Sequence, residues 1–383
     1  MSSELLAPAA PAPELHLPPG DKTVTVKVIN TTCFIQTTNI SRFMHPQMKG
    51  HDKLTAPAYS FLIEHESHGE TRRLVFDLGV RKDWENMAPV MVKMVTDGTW
   101  DLYTEKNVAD ILTETGIDTK SIEAVIWSHW HFDHIGDPST FPKSTDLIVG
   151  PGFKEALLPG YPANENAPFL ESDYSGRSLR EIDFEKEGGG LTLGRFAAFD
   201  YFGDGSFYLL DAPGHAVGHI CGLARTSLSP PTFILMGADS CHHGGEFRPS
   251  QYLPLPKHIV PNPINPRRTG AWPRATHSGS VCPGSLFLDI HFKKSPTQPF
   301  YELSPNGVHH DKETTEKTIE KIQEFDVNPN VFVCMAHDEH LLDVIDFYPK
   351  SANDWKQRGW AEDSKWMFLG DLSAGLGNVA GKL

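Results

Sequence analysis

Three imidazoles and a carboxylate fall within six residues, in His129-Trp-His-Phe-Asp-His134. No other stretch restricts the chain so tightly. The residues just before it, Ala124-Val-Ile-Trp127, are apolar and read as a buried strand. In layered α/β proteins, ligands sit where the chain emerges at the C-terminal end of a strand. Side chains alternate along an extended segment, so His129, His131 and Asp133 leave on one side. His129 and His131 can then hold one ion together. As the chain turns, Asp133 and His134 can swing toward a second. Neutral imidazole and carboxylate suit Zn²⁺ and its neighbours. A solvated His-rich loop is the competing reading, and the buried strand directly upstream counts against it.

His-x-His-x-Asp-His after a hydrophobic strand resembles the signature of the metallo-β-lactamase superfamily. The resemblance implies an α/β fold, a four-layer αββα sandwich with loop-rich insertions and one or two metals at the sheet edges. It also makes demands on the rest of the chain. A third His is wanted at the end of a later strand, and Pro213-Gly214-His215 supplies it. A carboxylate is wanted to bridge the ions, and Asp239 closes the apolar run Phe233-Ile-Leu-Met-Gly-Ala. A last His is wanted, and His337 follows Val331-Phe-Val-Cys-Met335. By this resemblance His129, His131 and His215 hold one metal, and Asp133, His134 and His337 the other. Asp239 bridges them, which keeps two ions ~3.5–4 Å apart. His219 is expected in a supporting place. His309, His310 and His340 lie off strand ends and rank below His337. Two Zn²⁺ are the expected cofactors, with Mn, Fe or Co as alternatives.

Composition narrows the partners. The 383 residues carry a net charge of −15 and no basic stripe, so no nucleic-acid partner is expected. No run of about 18 apolar residues exists, so no membrane helix is expected. The N-terminus lacks a basic region followed by an apolar core. The five cysteines are widely spaced, without Cys-x-x-Cys, and Cys221, Cys241 and Cys334 read as buried thiols. A reducing, cytoplasmic setting and a small-molecule substrate follow as expectations. Oligomeric state is not legible.

Residues 1–20 are rich in Ala and Pro and read as a flexible arm. Residues 21–345 are expected to form the catalytic domain, and residues 346–383 an extension packing on it. Val24, Val26 and Val28 alternate with polar neighbours, which signals a half-buried strand. A long polar loop is expected from Asn30 to Pro57. Ala58–His65 and Leu74–Asp77 read as strands. The second runs into Asp77-Leu-Gly79, and Asp-x-Gly is common in the superfamily. Thr104 is expected to cap a helix through Thr115, with Gly116 at its end. Two Pro- and aromatic-rich insertions, about 150–190 and 243–310, are expected to cover the site. The second carries Arg248, Tyr252, His258, Arg267, Arg268, Trp272 and His277. Thr314–Phe325 reads as a helix and Val331–Met335 as a buried strand.

The resemblance implies that a hydroxide between the metals attacks a carbonyl carbon. Within the superfamily, di-iron oxygen reductases carry Glu where His131 stands. The familiar bacterial zinc β-lactamases lack a His matching His134 and often place Cys where Asp239 stands. The all-His/Asp set is similar to that of glyoxalase II thioesterases and quorum-quenching lactonases, and the long insertions resemble fungal members. The lactonases place a Tyr three residues after the bridging Asp. Here that position is His242, followed by His243, and either can give a proton to a leaving group. Asp133, Asp239, His242 and His243 are thus the expected catalytic residues. The expected reaction opens a small lactone, lactam or related ester. A thioesterase for carrier- or glutathione-linked acyl groups is the alternative. It needs a basic patch, for which Arg248, Arg267 and Arg268 are available. A binding module on the same fold would have lost ligands, and none is lost.

Overall fold

Period-two alternation builds the core. In Glu70–Phe76 and Ile122–Ile126, Leu74, Phe76, Ala124 and Ile126 face one way, and Val75 and Val125 the other. In Pro231–Ala238 and Val331–Met335, Ile234, Met236, Phe332 and Cys334 alternate with Phe233, Leu235 and Val333. Such strands are apolar on both faces, so each sheet must be covered twice. The computed structural model, which describes residues 4–264 and 281–382, shows how. One six-stranded sheet runs in the order Val24–Asn30, Tyr59–Ser67, Glu70–Phe76, Ile122–Ile126, Asp146–Val149, Leu179–Glu181. The other runs Thr192–Leu193, Phe196–Asp200, Phe207–Asp211, Ile220–Leu228, Pro231–Ala238, Val331–Met335. Their inner faces share one apolar cluster.

Helices close the outer faces. Val108 and Leu112 of Val108–Glu114 pack on Leu62, Val75 and Val125. Ile319, Ile322 and Phe325 of Lys312–Asp326 pack on Leu223, Phe233 and Val333. The chain is therefore an αββα sandwich of α/β class. Phe76 and Ile126 end parallel neighbours in one sheet, and Ala238 and Met335 end parallel neighbours in the other. The functional loops leave from these four ends.

Several local expectations give way. The Asn30–Pro57 stretch is not a plain loop: Cys33–Thr37 pairs with Leu54–Ala56 and with Trp100–Thr104 in a three-stranded sheet. Its sequence, with Thr31, Thr32, Thr37 and Thr38 around short apolar pieces, hides strands that only pairing stabilises. The helix before Gly116 is capped by Asn107, not Thr104, which instead ends Trp100–Thr104. Residues 150–190 are not a lid. They add Leu179–Glu181 to the first sheet and contribute no residue to the site cavity. Arg267, Arg268, Trp272 and His277 lie outside the described residues. All five cysteines are buried and free, Cys33 and Cys282 included.

The C-terminal residues enter the core. Ala352, Trp355, Trp360 and Ala361 belong to the cluster between the sheets. Trp355 stacks on Phe332 at 5.5 Å, and its Nε1 donates to Thr226 Oγ1 at 3.3 Å. Farther on, Phe368, Leu369 and Leu372 pack against Phe300, Tyr301 and Leu255.

Candidate metal centre

The His-rich loop leaves Ile122–Ile126 and turns into the short helix Phe132–Ile135, for which His131 is the N-cap. The turn carries His129 and His131 to one place and Asp133 and His134 to another. His215 follows Gly214, whose φ is +125°; a Cβ there would come within 2.3 Å of Thr315 N, so only glycine fits. The backbone N–H of Asp311 donates to Gly214 O at 2.9 Å, which ties the His215 turn to the helix that begins there.

The seven residues expected as ligands converge in two groups. His129, His131, His215 and Asp239 each offer one ligand atom within 4.8 Å of the others. Asp133, His134 and His337 do the same. Asp239 joins the groups. Its Oδ2 faces His129 Nε2 at 3.8 Å and His215 Nε2 at 3.5 Å. Its Oδ1 faces His134 Nε2 and His337 Nε2, each at 3.0 Å. One carboxylate thus looks both ways.

The donor set fits metal ions. A ligating His donates its other ring N–H to a fixed acceptor, which leaves a lone pair aimed at the ion. His134 Nδ1 is 2.8 Å from Asp77 Oδ2, and His337 Nδ1 is 2.6 Å from Pro57 O. Both Nε2 atoms are left facing Asp239. Three buried atoms around the Asp239 carboxylate, His129 Nε2, His134 Nε2 and Asp239 Oδ1, make no hydrogen bond of acceptable geometry, although the last two lie 3.0 Å apart. An unpaired buried polar atom costs about 1–3 kcal/mol, so three around one carboxylate call for a partner. Burial, with neighbouring imidazoles acting the same way, holds His129 and His215 well below the usual histidine range. Burial pushes His131 down to about 4. Neutral imidazole is the ligating form. The other group is shifted the opposite way. Burial opposes charge on His134, but Asp239, Asp77 and Asp133 raise it well above the usual range.

Asp77 is the supporting residue that the sequence hinted at only through Asp-x-Gly. It is buried, and besides His134 its oxygens accept from Ser128 N at 2.7 Å and Ser128 Oγ at 2.8 Å. Its φ is +60°, a left-handed conformation that a non-glycine residue adopts at a cost. His219 is structural, as expected: Nδ1 bonds Ala212 O at 2.8 Å, and Nε2 accepts from Asp239 N at 3.2 Å.

Residues 55–226 match the family described as the Metallo-beta-lactamase superfamily. Gamma-lactamase FDB1 of Fusarium pseudograminearum is 46% identical over 364 residues, 94% of this chain and 85% of that protein. The chain belongs to the metallo-beta-lactamase superfamily. Metallo-hydrolase mfmC of Annulohypoxylon moriforme is 43% identical, over 97% of this chain and 93% of that one. The solved structure of AiiA from B. thuringiensis, with N-decanoyl-L-homoserine at its active site, aligns with a TM-score of 0.55 at 15% identity. That alignment covers 86% of this chain and 100% of that one, and it speaks for the fold alone.

In this superfamily member a cavity of about 240 Å³ opens onto the cluster. His131, Asp133, His215, Asp239, His242 and His337 form its polar end. Trp130 and Phe132 line it too, so the residues between the ligands face the cavity. Its roof is the missed sheet, through Ile35, Thr37, Leu54, Ala56 and Trp100. Of the second insertion, Val308 alone among the described residues reaches it.

The two adjacent histidines part company. His242 lines the cavity, and its Nε2 lies 3.3 Å from Asp239 Oδ2. His243 does not line it. His243 Nδ1 accepts from Gly245 N at 3.0 Å, so its proton sits on Nε2, 3.2 Å from Asp371 Oδ2. That tautomer offers no lone pair to a metal. The grouping of His51, His243 and Asp371 is thus a hydrogen-bonded cluster rather than an ion site. Neither His243 nor Asp371, expected and unexpected respectively at the site, lines the cavity.

Asp371 also takes His340 Nε2 at 3.0 Å. Burial works against charge on His340, but Asp371 prevails and lifts it to about 9. Burial likewise opposes the Asp371 carboxylate, and His340 and His243 hold it well below the usual range. The His340 contribution to stability is therefore full below an unfolded pKa of about 6.5 and fades as pH rises through about 9. Asp371 loses its share only in strong acid. Hydrogen exchange of residues 366–377 should accelerate between pH 8 and 10, beyond the intrinsic chemical increase. In Asp371→Asn that extra acceleration should be absent.

Proposed function

We propose that the chain is a dinuclear metal-dependent hydrolase that opens a compact lactam or lactone, with zinc as the resident metal. The observation that carries the reading is the cavity: apolar walls of Phe43, Met91, Met94, Trp100 and Phe132 end on two adjoining ligand groups bridged by Asp239. An apolar cavity of ~150 Å³ admits benzene. One of about 240 Å³ takes a ring compound little larger than a bicycle. Lactams come first because Gamma-lactamase FDB1 is 46% identical over most of both chains. In our assignment His129, His131 and His215 hold one ion, Asp133, His134 and His337 the other, and Asp239 both. The all-His/Asp donor set suits Zn²⁺.

Bound ions of this kind acidify water and polarise a carbonyl. The chain supplies the rest. The walls exclude water and hold the ring flat against the polar end. Asp77 and Pro57 O fix the imidazoles of His134 and His337. His242 is not among the residues whose ligand atoms converge within 4.8 Å, yet its ring borders the cavity. Its place in the mechanism is to protonate the leaving nitrogen or oxygen as the ring opens. An amide nitrogen or alkoxide leaves as a strong base and needs that proton, whereas a thiolate or aryloxide does not. His242→Ala should therefore lose roughly 10²–10⁴-fold on lactams and alkyl lactones, and at least tenfold less on thioesters and aryl esters. Equal losses on both, with two metals retained, would reject the proton role. Metal depletion would make His242 a ligand.

The thioesterase alternative has less support. Arg248, one of its basic candidates, is buried and paired with Asp326 at 2.6 Å. The deciding experiment is a hydrolysis panel of lactams, lactones and thioesters on zinc-replete protein. Turnover of thioesters alone would overturn the proposal.

A further inference from the structure

Outside the His/Asp cluster, the cavity is lined by a single cation among the described residues, Arg42. Its backbone is pinned. Arg42 N donates to Asn39 O at 3.0 Å, and Val308 N donates to Arg42 O at 3.0 Å. Its guanidinium makes no hydrogen bond or ion pair with a described residue. Asp97 feels its charge without pairing. Other arginines, exposed or buried, are engaged: Arg72 with Glu123, Arg81 with Asp83 and Asp137, Arg248 with Asp326. In a chain of net charge −15, carboxylates are plentiful, yet none among the described residues pairs with Arg42.

We propose that Arg42 selects substrates that carry an anionic group, a carboxylate or its equivalent, in addition to the scissile carbonyl. The inference rests on reading this cavity as the substrate pocket. A cavity of this size, treated as a sphere, is roughly 8 Å across, so one ring compound spans it. Arg42 lines the same cavity as His131, Asp133, His215 and His337, and Phe43 beside it meets the His242 ring at 5.0 Å, so a ring whose carbonyl lies at the ligand groups shares its cavity with Arg42. Phe43 follows Arg42 directly and meets Trp100 edge-to-face at 6.1 Å, and Trp100 meets Phe132 likewise at 6.1 Å. The ring is thus gripped by aromatic walls, and guanidinium is the group best shaped to read a carboxylate on its edge. The competing reading is an arginine that rests its stem on the wall and keeps its head in water.

The test uses zinc-replete protein and two matched probes, a benzo-fused γ-lactam and the same lactam bearing a ring carboxylate. Binding is measured by calorimetry and turnover separately. Wild type should bind the carboxylate probe more tightly, by roughly tenfold or more, and added salt should erode that preference. Arg42→Ala should collapse the preference, with the neutral probe reporting any general damage to the pocket. Arg42→Lys should keep part of it. An equal preference in wild type and Arg42→Ala overturns the inference, whether or not turnover is seen. Selective binding that depends on Arg42, with no turnover of either probe, would leave the inference standing and reject the hydrolase reading instead.

Discussion

Asp239→Asn is expected to strip the centre of metal and to cost at least roughly a hundredfold in kcat/KM, the upper range for losing even a supporting partner of a ligand. The substitution removes the charge and one of two oxygens from a carboxylate whose oxygens face His129, His215, His134 and His337 at 3.0–3.8 Å. No other acid among the described residues can take over both sides, because Asp133 faces only His134 and His337, at 3.9 and 3.4 Å. Far-UV circular dichroism should be unchanged, since the loop lies beyond the strand ends and both sheets are covered without it. Asp133→Ala is the informative companion. It should lose one ion and keep the other on His129, His131, His215 and Asp239. Two zinc per chain in Asp239→Asn, with activity within tenfold of wild type, would end the bridging assignment.

Trp355→Ala should destabilise the protein by about 3–5 kcal/mol, the usual range for truncating a fully buried Trp. Trp355 has 0% exposure, stacks on Phe332 of the strand that ends at Met335, and bonds Thr226 two strands away in the same sheet. The cost combines lost apolar burial with a cavity between two sheets that cannot collapse onto it. Urea unfolding of the metal-free protein, with an unchanged m-value, measures the effect. A loss below 1 kcal/mol would mean that residues 346–383 only decorate the surface. The two substitutions separate chemistry from scaffold: one should empty the site in a folded protein, the other should weaken the fold around an intact set of ligands.

The sequence by itself determined the ligands at strand ends. A buried strand announces itself by consecutive apolar residues, and the residue after it must leave the core at a sheet edge. Those are properties of a dozen neighbouring residues, so Ile122–Ile126 with His129, Pro231–Ala238 with Asp239 and Val331–Met335 with His337 could all be read without coordinates. The helix Lys312–Asp326 was legible for the same reason, through Thr315, Ile319 and Ile322 on one face. What long-range pairing decides was not legible. Cys33–Thr37 is a strand only because Leu54–Ala56 and Trp100–Thr104 flank it, and together they form the roof that residues 150–190 were expected to provide. His242 and His243 are adjacent in sequence and identical in chemistry. One Nδ1 bond from Gly245 and one carboxylate 128 residues away turn His243 from the cavity and leave His242 facing it. Asp77 and Arg42 gain their meaning in the same way, from His134 and from an apolar wall, because what a side chain does in the folded protein depends on partners that only the tertiary fold brings within reach.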